Sequence, residues 1–309
     1  MKIAVFGIGA IGGYIGGLLA NAGEKVSFIA RGETLSAIRE SGLTLQRGDE
    51  TFAIKPEYAS DNPNDIGVAD YIILCVKADA LQNAAEIISP IVGPNTVVVP
   101  TQNGVMASKQ IASVIGSEKV IEGICQFNAQ MIKPATVITG ANQPTFNIGE
   151  SDNTTTERIL LLQSALHNAG FNSVIPENIQ VALWTKLMGI AALAGMECVT
   201  RTSSAIWSQI PSLKTMYSKS MEETRDVARS LKIEIPYREI EQRVDRLGSG
   251  SRSGTTSLHK DIVEGRPSEI EHQIGDIVRI ADEHNIDTPV NSFLYNCLLP
   301  QEKVARKEI

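Results

Sequence analysis

The opening residues Ile3-Ala4-Val5-Phe6 form an unbroken apolar run, and similar short β-branched runs return at 25–30, 71–76, 96–100 and 119–124. Runs of this length bounded by turn formers read as strands buried on both faces, as in a parallel sheet. Helical spacing fills the stretches between them up to about Pro176. That alternation predicts an α/β unit with a doubly wound, mostly parallel sheet. From Asn178 onward the β-branched runs stop. Segments 213–231, 240–246 and 270–284 have helical periodicity, and 178–196 is apolar nearly all round, which predicts a buried helix. The expected organisation is an α/β domain over 1–176 followed by an all-helical domain over 177–309. The division falls at Ile175-Pro176-Glu177-Asn178, where a proline precedes an asparagine suited to cap a helix. At 309 residues the chain also exceeds what one core ordinarily serves. The glycine- and serine-rich stretch 248–254 reads as a solvated loop.

Charge narrows the partners. With 28 Lys and Arg against 35 Asp and Glu, the net charge of -7 disfavours nucleic acid or an anionic membrane surface. Four cysteines at wide spacing, without a CxxC pair, and four scattered histidines predict no metal site. A strand beginning at once leaves no room for a leader sequence, which points to the cytoplasm. The longest apolar stretch, around 187–199, is interrupted by Glu197 and falls short of the roughly 18 residues of a membrane span.

Candidate chemistry begins with Gly7-Ile8-Gly9-Ala10-Ile11-Gly12, directly after the first strand and opening a helix. In that context GxGxxG is the dinucleotide turn of a Rossmann domain. Gly7 allows the tight turn, Gly9 lets a pyrophosphate approach the backbone, and Gly12 lets helix and strand pack closely. Phosphates would then rest on the amides of the helix N-terminus. The alternative is a purely structural glycine turn. About 20 residues on, where an NAD enzyme usually carries an acid for the ribose, stands Arg31. A guanidinium can hold a 2′-phosphate through two hydrogen bonds, so NADP(H) is the expected cofactor, unless Glu33 serves as the acid. Lys77 and Asn103, in Gln102-Asn103-Gly104, each follow a strand at its carboxyl end, where ligands bind. A loop lysine and an Asn-Gly turn remain equally good readings.

Reducing a ketone with a nicotinamide requires a proton for the oxygen, and the protein must supply it. Lys186 lies in the middle of the apolar helix, flanked one turn away by Ala182, Leu183, Gly189 and Ile190. Desolvation of its ammonium would lower the pKa and improve it as an acid. The competing reading is a lysine whose stem packs on the core while its head reaches water. Glu269 opens a further helix, and the competing reading there is an acid that serves only the helix dipole.

Together these motifs resemble the ketopantoate reductase (2-dehydropantoate 2-reductase) family, from Met1 to about Leu298. The resemblance rests on GxGxxG, Arg31, Val76-Lys77, Gln102-Asn103-Gly104, Leu183-Trp184-Thr185-Lys186-Leu187 and Asp261-Ile262-Val263-Glu264-Gly265-Arg266-Pro267-Ser268-Glu269-Ile270. It implies that Lys186 is the general acid and that Glu269 hydrogen-bonds near the reacting centre. It assigns Arg31 and Lys77 to NADPH, Asn103 to nicotinamide and substrate, and Ser257 to the substrate carboxylate. The implied reaction is NADPH-dependent reduction of a 2-keto acid, in the family ketopantoate to pantoate in pantothenate synthesis. A homodimer stays open.

The chain departs from the family at Ile190 and Ala194, where substrate-binding asparagines are usual, and at Ile274 before Gly275. Removing those amides removes the bonds that reward ketopantoate's hydroxyl. An apolar 2-keto acid, as in the D-2-hydroxyacid dehydrogenase (D-mandelate) branch, is one alternative. A non-catalytic NADPH-binding sensor is the other.

Overall fold

The computed structural model describes residues 1–247 and 255–309, so the 248–254 stretch lies outside the described residues. Eleven strands appear among the described residues, all before Glu150: β1 (Lys2–Phe6), β2 (Lys25–Ile29), β3 (Leu43–Arg47), β4 (Glu50–Ile54), β5 (Tyr58–Ser60), β6 (Ala69–Leu74), β7 (Val92–Pro100), β8 (Glu122–Gln126), β9 (Ala129–Lys133), β10 (Thr136–Thr139) and β11 (Thr145–Gly149). Five helices accompany them: α1 (Ala10–Asn21), α2 (Gly32–Ser41), α3 (Leu81–Ile88), α4 (Ala107–Ile115) and α5 (Glu157–Asn168). Residues 1–102 and 107–179 form one unit.

Its main sheet is wholly parallel, in the order β5-β2-β1-β6-β7. Successive residues of a strand point to opposite faces, and here the faces serve two separate cores. Ile3, Val5, Tyr71, Ile73, Val97 and Val99 pack with side chains of α1, α2 and α5. Ala4, Ile72, Leu74 and Val98 pack with those of α3 and α4. The unbroken apolar runs therefore have a physical cause: every residue of the stretches 3–5, 71–74 and 96–100 is buried.

Two smaller sheets were not anticipated. One has the order β4-β3-β10-β9, and the other pairs β8 with β11 antiparallel. In β3 only Leu43 and Leu45 are buried, and in β4 only Ile54, so polar residues alternate with apolar ones and no run stands out. The run expected at 119–124 is a single turn at Ser117–Lys119 followed by β8, and the strand expected at 71–76 ends at Leu74.

Residues 103–106 and 180–309 form the second unit, in which every regular element among the described residues is a helix. It comprises most of α6 (Ile179–Thr200), then α7 (Ser204–Trp207), α8 (Pro211–Ser230), α9 (Arg238–Asp245), α10 (Ser257–Val263), α11 (Asp276–His284) and α12 (Pro289–Ala305). By length and composition α6 could cross a membrane, but most of its apolar stretch is buried within the protein. Every residue from Ala191 to Cys198 is buried and no residue of α6 is exposed, which explains the missing polar stripe. Buried Asn291 joins α12 to α8, its Nδ2 donating to the Ser220 carbonyl and to Glu223, while Glu223 accepts the amides of Val290 and Asn291 at 2.9 Å each.

At the turn after β1, a Cβ on Gly12 would lie 2.2 Å from the Gly7 carbonyl oxygen, whereas one on Gly9 would meet nothing within 4 Å. Gly12→Ala is therefore expected to destabilise the protein by about 2 kcal/mol or more, as overpacking against rigid backbone does. Gly9→Ala, which meets no such contact, should cost only about 1 kcal/mol or less, the penalty of alanine at an N-cap. Melting curves of the two variants test the contrast.

Candidate active site

In the first unit the strand order reverses between β1 and β6, so a crevice opens beyond their carboxyl ends. The turn Gly7 to Gly12 sits there. Gly7 has φ +93°, which favours glycine, and its Cβ would collide with the Cys75 backbone at the end of β6. Ile8 is buried, Gly9 is exposed, and Ala10 and Ile11 begin α1 half-buried. Gly9 occupies the N-cap of α1, with no side-chain cap and no acid in the first turn. An anion would thus meet open space at Gly9, an uncapped helix start and no competing carboxylate. These residues fit a dinucleotide pyrophosphate.

Arg31 lies at the same sheet edge, exposed, in the N-cap position of α2 just past β2. Glu33 is also exposed, in the first turn of α2, so both readings of the ribose contact survive sterically. Lys77 is exposed two residues after Cys75, whose amide donates to Phe6 O at 2.8 Å and continues the β1 pairing. The three cofactor motifs thus share one edge. Sequence reading passed over how the edge is braced. Gln102 is buried after β7, its Nε2 donating to the carbonyls of Leu74 (2.9 Å) and Val76 (2.7 Å), while Thr101 Oγ1 donates to Leu74 as well. The amide side chain pins the strand end that leads to Lys77.

In the second unit Asn103 is half-buried, and the next residue, Gly104, has φ +123° with space for a Cβ blocked by the His272 carbonyl at 2.6 Å. Lys186 is half-buried on α6. At 100° per residue, Ile190 and Glu197 return to the Lys186 face of the helix, and Ala194 lies beside it. Ile190 is half-buried, while Ala194 and Glu197 are fully buried. Glu197 Oε2 accepts the Thr256 amide at 2.7 Å, which fixes the start of α10, and the next residue is the exposed Ser257. Gly189, one turn from Lys186, gives space to Arg243, whose guanidinium donates to the Thr185 carbonyl at 3.2 Å and to Glu239. Neither Glu197 nor Arg243 carried a signal in sequence beyond its charge.

Glu269 is half-buried and does not merely open an α-helix. Its carbonyl accepts the amides of His272 (3.2 Å) and Gln273 (3.0 Å), and residues Glu271–Gly275 then form a π-helical turn before α11. Such turns are uncommon and recur at functional sites. The turn is staked on one side by Arg279, which donates to the Glu271 carboxylate (2.6 Å) and carbonyl (2.5 Å). Tyr295 donates to both Glu271 oxygens. Burial, and then the Glu271 carboxylate, push the Tyr295 hydroxyl up to about 12, so it remains a donor at neutral pH. A Cβ on Gly275 would approach Arg279 to 2.9 Å and Tyr295 to 3.0 Å, so the glycine belongs to the same arrangement.

Comparison with known proteins agrees with this architecture. Residues 3–153 match the family model described as ketopantoate reductase PanE/ApbA, and residues 178–302 match its C-terminal counterpart. A 2-dehydropantoate 2-reductase of Mesorhizobium japonicum is 29% identical over 293 residues, covering 88% of each chain. The crystal structure of a PanE/ApbA family ketopantoate reductase from Ralstonia eutropha superposes with a TM-score of 0.90 at 27% identity, covering 99% of this chain and 100% of that one. D-mandelate dehydrogenase, solved with NADH and anilino(oxo)acetate, shares the fold at 22% identity, with a TM-score of 0.87 over 99% of both chains. With both of its halves matched, the chain belongs to the ketopantoate reductase family, oxidoreductases that act on CH–OH groups.

Proposed function

We propose that this protein reduces a 2-keto acid to the 2-hydroxy acid with NADPH, residues 1–176 holding the cofactor and residues 177–309 the substrate. The observation that carries the reading is Lys186, half-buried on a helix with no exposed residue, among the buried Leu183, Trp184, Leu187 and Met188. The cofactor, when bound, supplies the hydride. The chain's own residues do the rest. Gly7, Gly9 and Gly12 let the pyrophosphate reach the backbone, with Ile8, Ala10 and Ile11 lending amides at the helix start. Arg31 takes the 2′-phosphate and Lys77 adds a second cation at the same edge. Asn103 offers a donor and an acceptor to the carboxamide of the ring and to the substrate. Ser257 hydrogen-bonds the substrate carboxylate. Lys186 gives its proton to the keto oxygen as that oxygen gains charge, and Glu269 hydrogen-bonds near it.

Relatives named 2-dehydropantoate 2-reductase support ketopantoate as substrate. Ile190 and Ala194 favour a second reading, a D-2-hydroxyacid dehydrogenase for branched or aromatic 2-keto acids, because neither side chain can bond ketopantoate's hydroxyl.

Three measurements test these assignments. Arg31→Ala should raise the Kd for NADPH about 10- to 100-fold, the worth of a charge-assisted contact, and that for NADH less than about 2-fold. Equal losses would return the ribose contact to Glu33. Lys186→Ala should lower kcat by about 10²-fold or more while leaving NADPH affinity within about 2-fold. A parent protein that binds NADPH yet turns over no 2-keto acid would instead be a sensor. Finally, Ile190→Asn should raise kcat/KM for ketopantoate relative to 2-ketoisocaproate and benzoylformate by about 10-fold, roughly one hydrogen bond. An unchanged ratio rules out Ile190 as the selector.

A further inference from the structure

The loop that delivers Glu269 is held by a carboxylate 34 residues further on. Glu302, on α12, is 1% exposed and aims at Ser268. Its two oxygens accept the Ser268 amide at 3.1 and 3.0 Å, and Oε2 also accepts the Ser268 hydroxyl at 2.5 Å. Arg306 completes the group. Its Nε donates to Glu302 Oε1 at 2.6 Å and its Nη2 to the Ser268 carbonyl at 3.0 Å. The Ser268 oxygen in turn accepts the Ile270 amide at 3.3 Å.

Both peptide groups of Ser268 are therefore fixed by one ion pair, its carboxylate buried and its guanidinium half-buried. The amide before it is held by an anion, the carbonyl after it by a cation. That carbonyl belongs to the peptide joining Ser268 to Glu269, so the backbone of Glu269 is set on its N-terminal side. On the C-terminal side the π-turn takes over through the amides of His272 and Gln273. A charge buried this deeply costs stability unless its hydrogen bonds are complete. Glu302 accepts four here, three from Ser268 and one from Arg306, and the loop's next residue is the carboxylate assigned to the reacting centre.

We propose that Glu302, with Ser268 and Arg306, is a positioning group that holds Glu269 in its working geometry, an inference that rests on the role of Glu269 given above. It touches no substrate. Its effect on turnover passes entirely through Glu269, since an acid misplaced by about 1 Å can cost two orders of magnitude in rate.

The test is a double-mutant cycle of Glu302→Gln, Glu269→Gln and the combined variant, read as kcat and KM for the 2-keto acid turned over, NADPH affinity and thermal midpoint. Glu302→Gln is expected to lower kcat about 10-fold or more with NADPH affinity within about 2-fold, and to add no further loss to Glu269→Gln. Hydrogen exchange of the His272 and Gln273 amides should quicken in Glu302→Gln while amides of the NADPH-binding unit keep their rates. Ser268→Ala, which keeps the backbone amide and removes only the hydroxyl, carries the same cycle if Glu302→Gln fails to fold. Multiplying losses in the combined variant overturn the positioning proposal and leave the role of Glu269 standing. Full turnover by Glu269→Gln alone overturns that role, and the positioning proposal with it.

Discussion

The first unit depends on how closely α1 can approach the backbone that leads into it. A Cβ on Gly12 would run into the Gly7 carbonyl and the Cys75 side chain, so the helix meets the turn and the end of β6 with no side chain of its own between them. That contact directs the start of α1 at the place where strand order reverses. Everything expected of a phosphate there follows from it: the uncapped amides, the open space at Gly9 and the nearness of the β2 and β6 ends that carry Arg31 and Lys77. A side chain at Gly12 would push the helix start away, and residues several positions off would lose their aim.

The second unit meets a different constraint. Helix α6 is buried on almost every side, so a lysine in its middle can be accommodated only where the packing opens. Lys186, Ile190, Ala194 and Glu197 are spaced along one face, half-buried at the first two and fully buried at the last two. At its far end Glu197 does structural work, bonding the Thr256 amide from full burial. The stripe thus passes from a half-buried cation to a buried anion across two apolar residues. Of the two charges only Lys186 keeps some exposure, and Ile190 and Ala194 between them present hydrocarbon alone. This is the physical content of the departure from the family pattern at Ile190 and Ala194.

What could be read in sequence was whatever is decided by neighbours in the chain. The glycine turn is a constraint on six consecutive residues, and the two-faced burial of β1, β6 and β7 writes itself as apolar runs. α6 announced itself by the absence of a polar face. The sheet containing β3 and β4 was missed because alternate burial leaves polar residues in view, as at Gln46 and Thr51, and short amphipathic strands resemble loops. The π-turn was read as an ordinary helix start because its cause lies elsewhere. Arg279 and Tyr295 reach back to Glu271 from 8 and 24 residues away. Nothing local to Glu271 predicts that.

The same distinction bears on how the site residues are held. Side chains that touch a ligand occupy motifs, because the ligand imposes a fixed spacing on them. Groups that only support those side chains answer to the fold, and any element that passes nearby can supply them. Gln102 braces the end of β6 from the loop after β7, Glu197 braces α10 from α6, and Glu302 braces the Glu269 loop from α12. In each case a buried polar side chain bonds to backbone groups of a neighbouring segment, and at Ser268 to the hydroxyl as well. Such a bond is strong because it is desolvated and costly to leave unmade. It therefore fixes a loop more firmly than apolar packing could, since apolar contacts tolerate sliding and a carboxylate between an amide and a guanidinium does not.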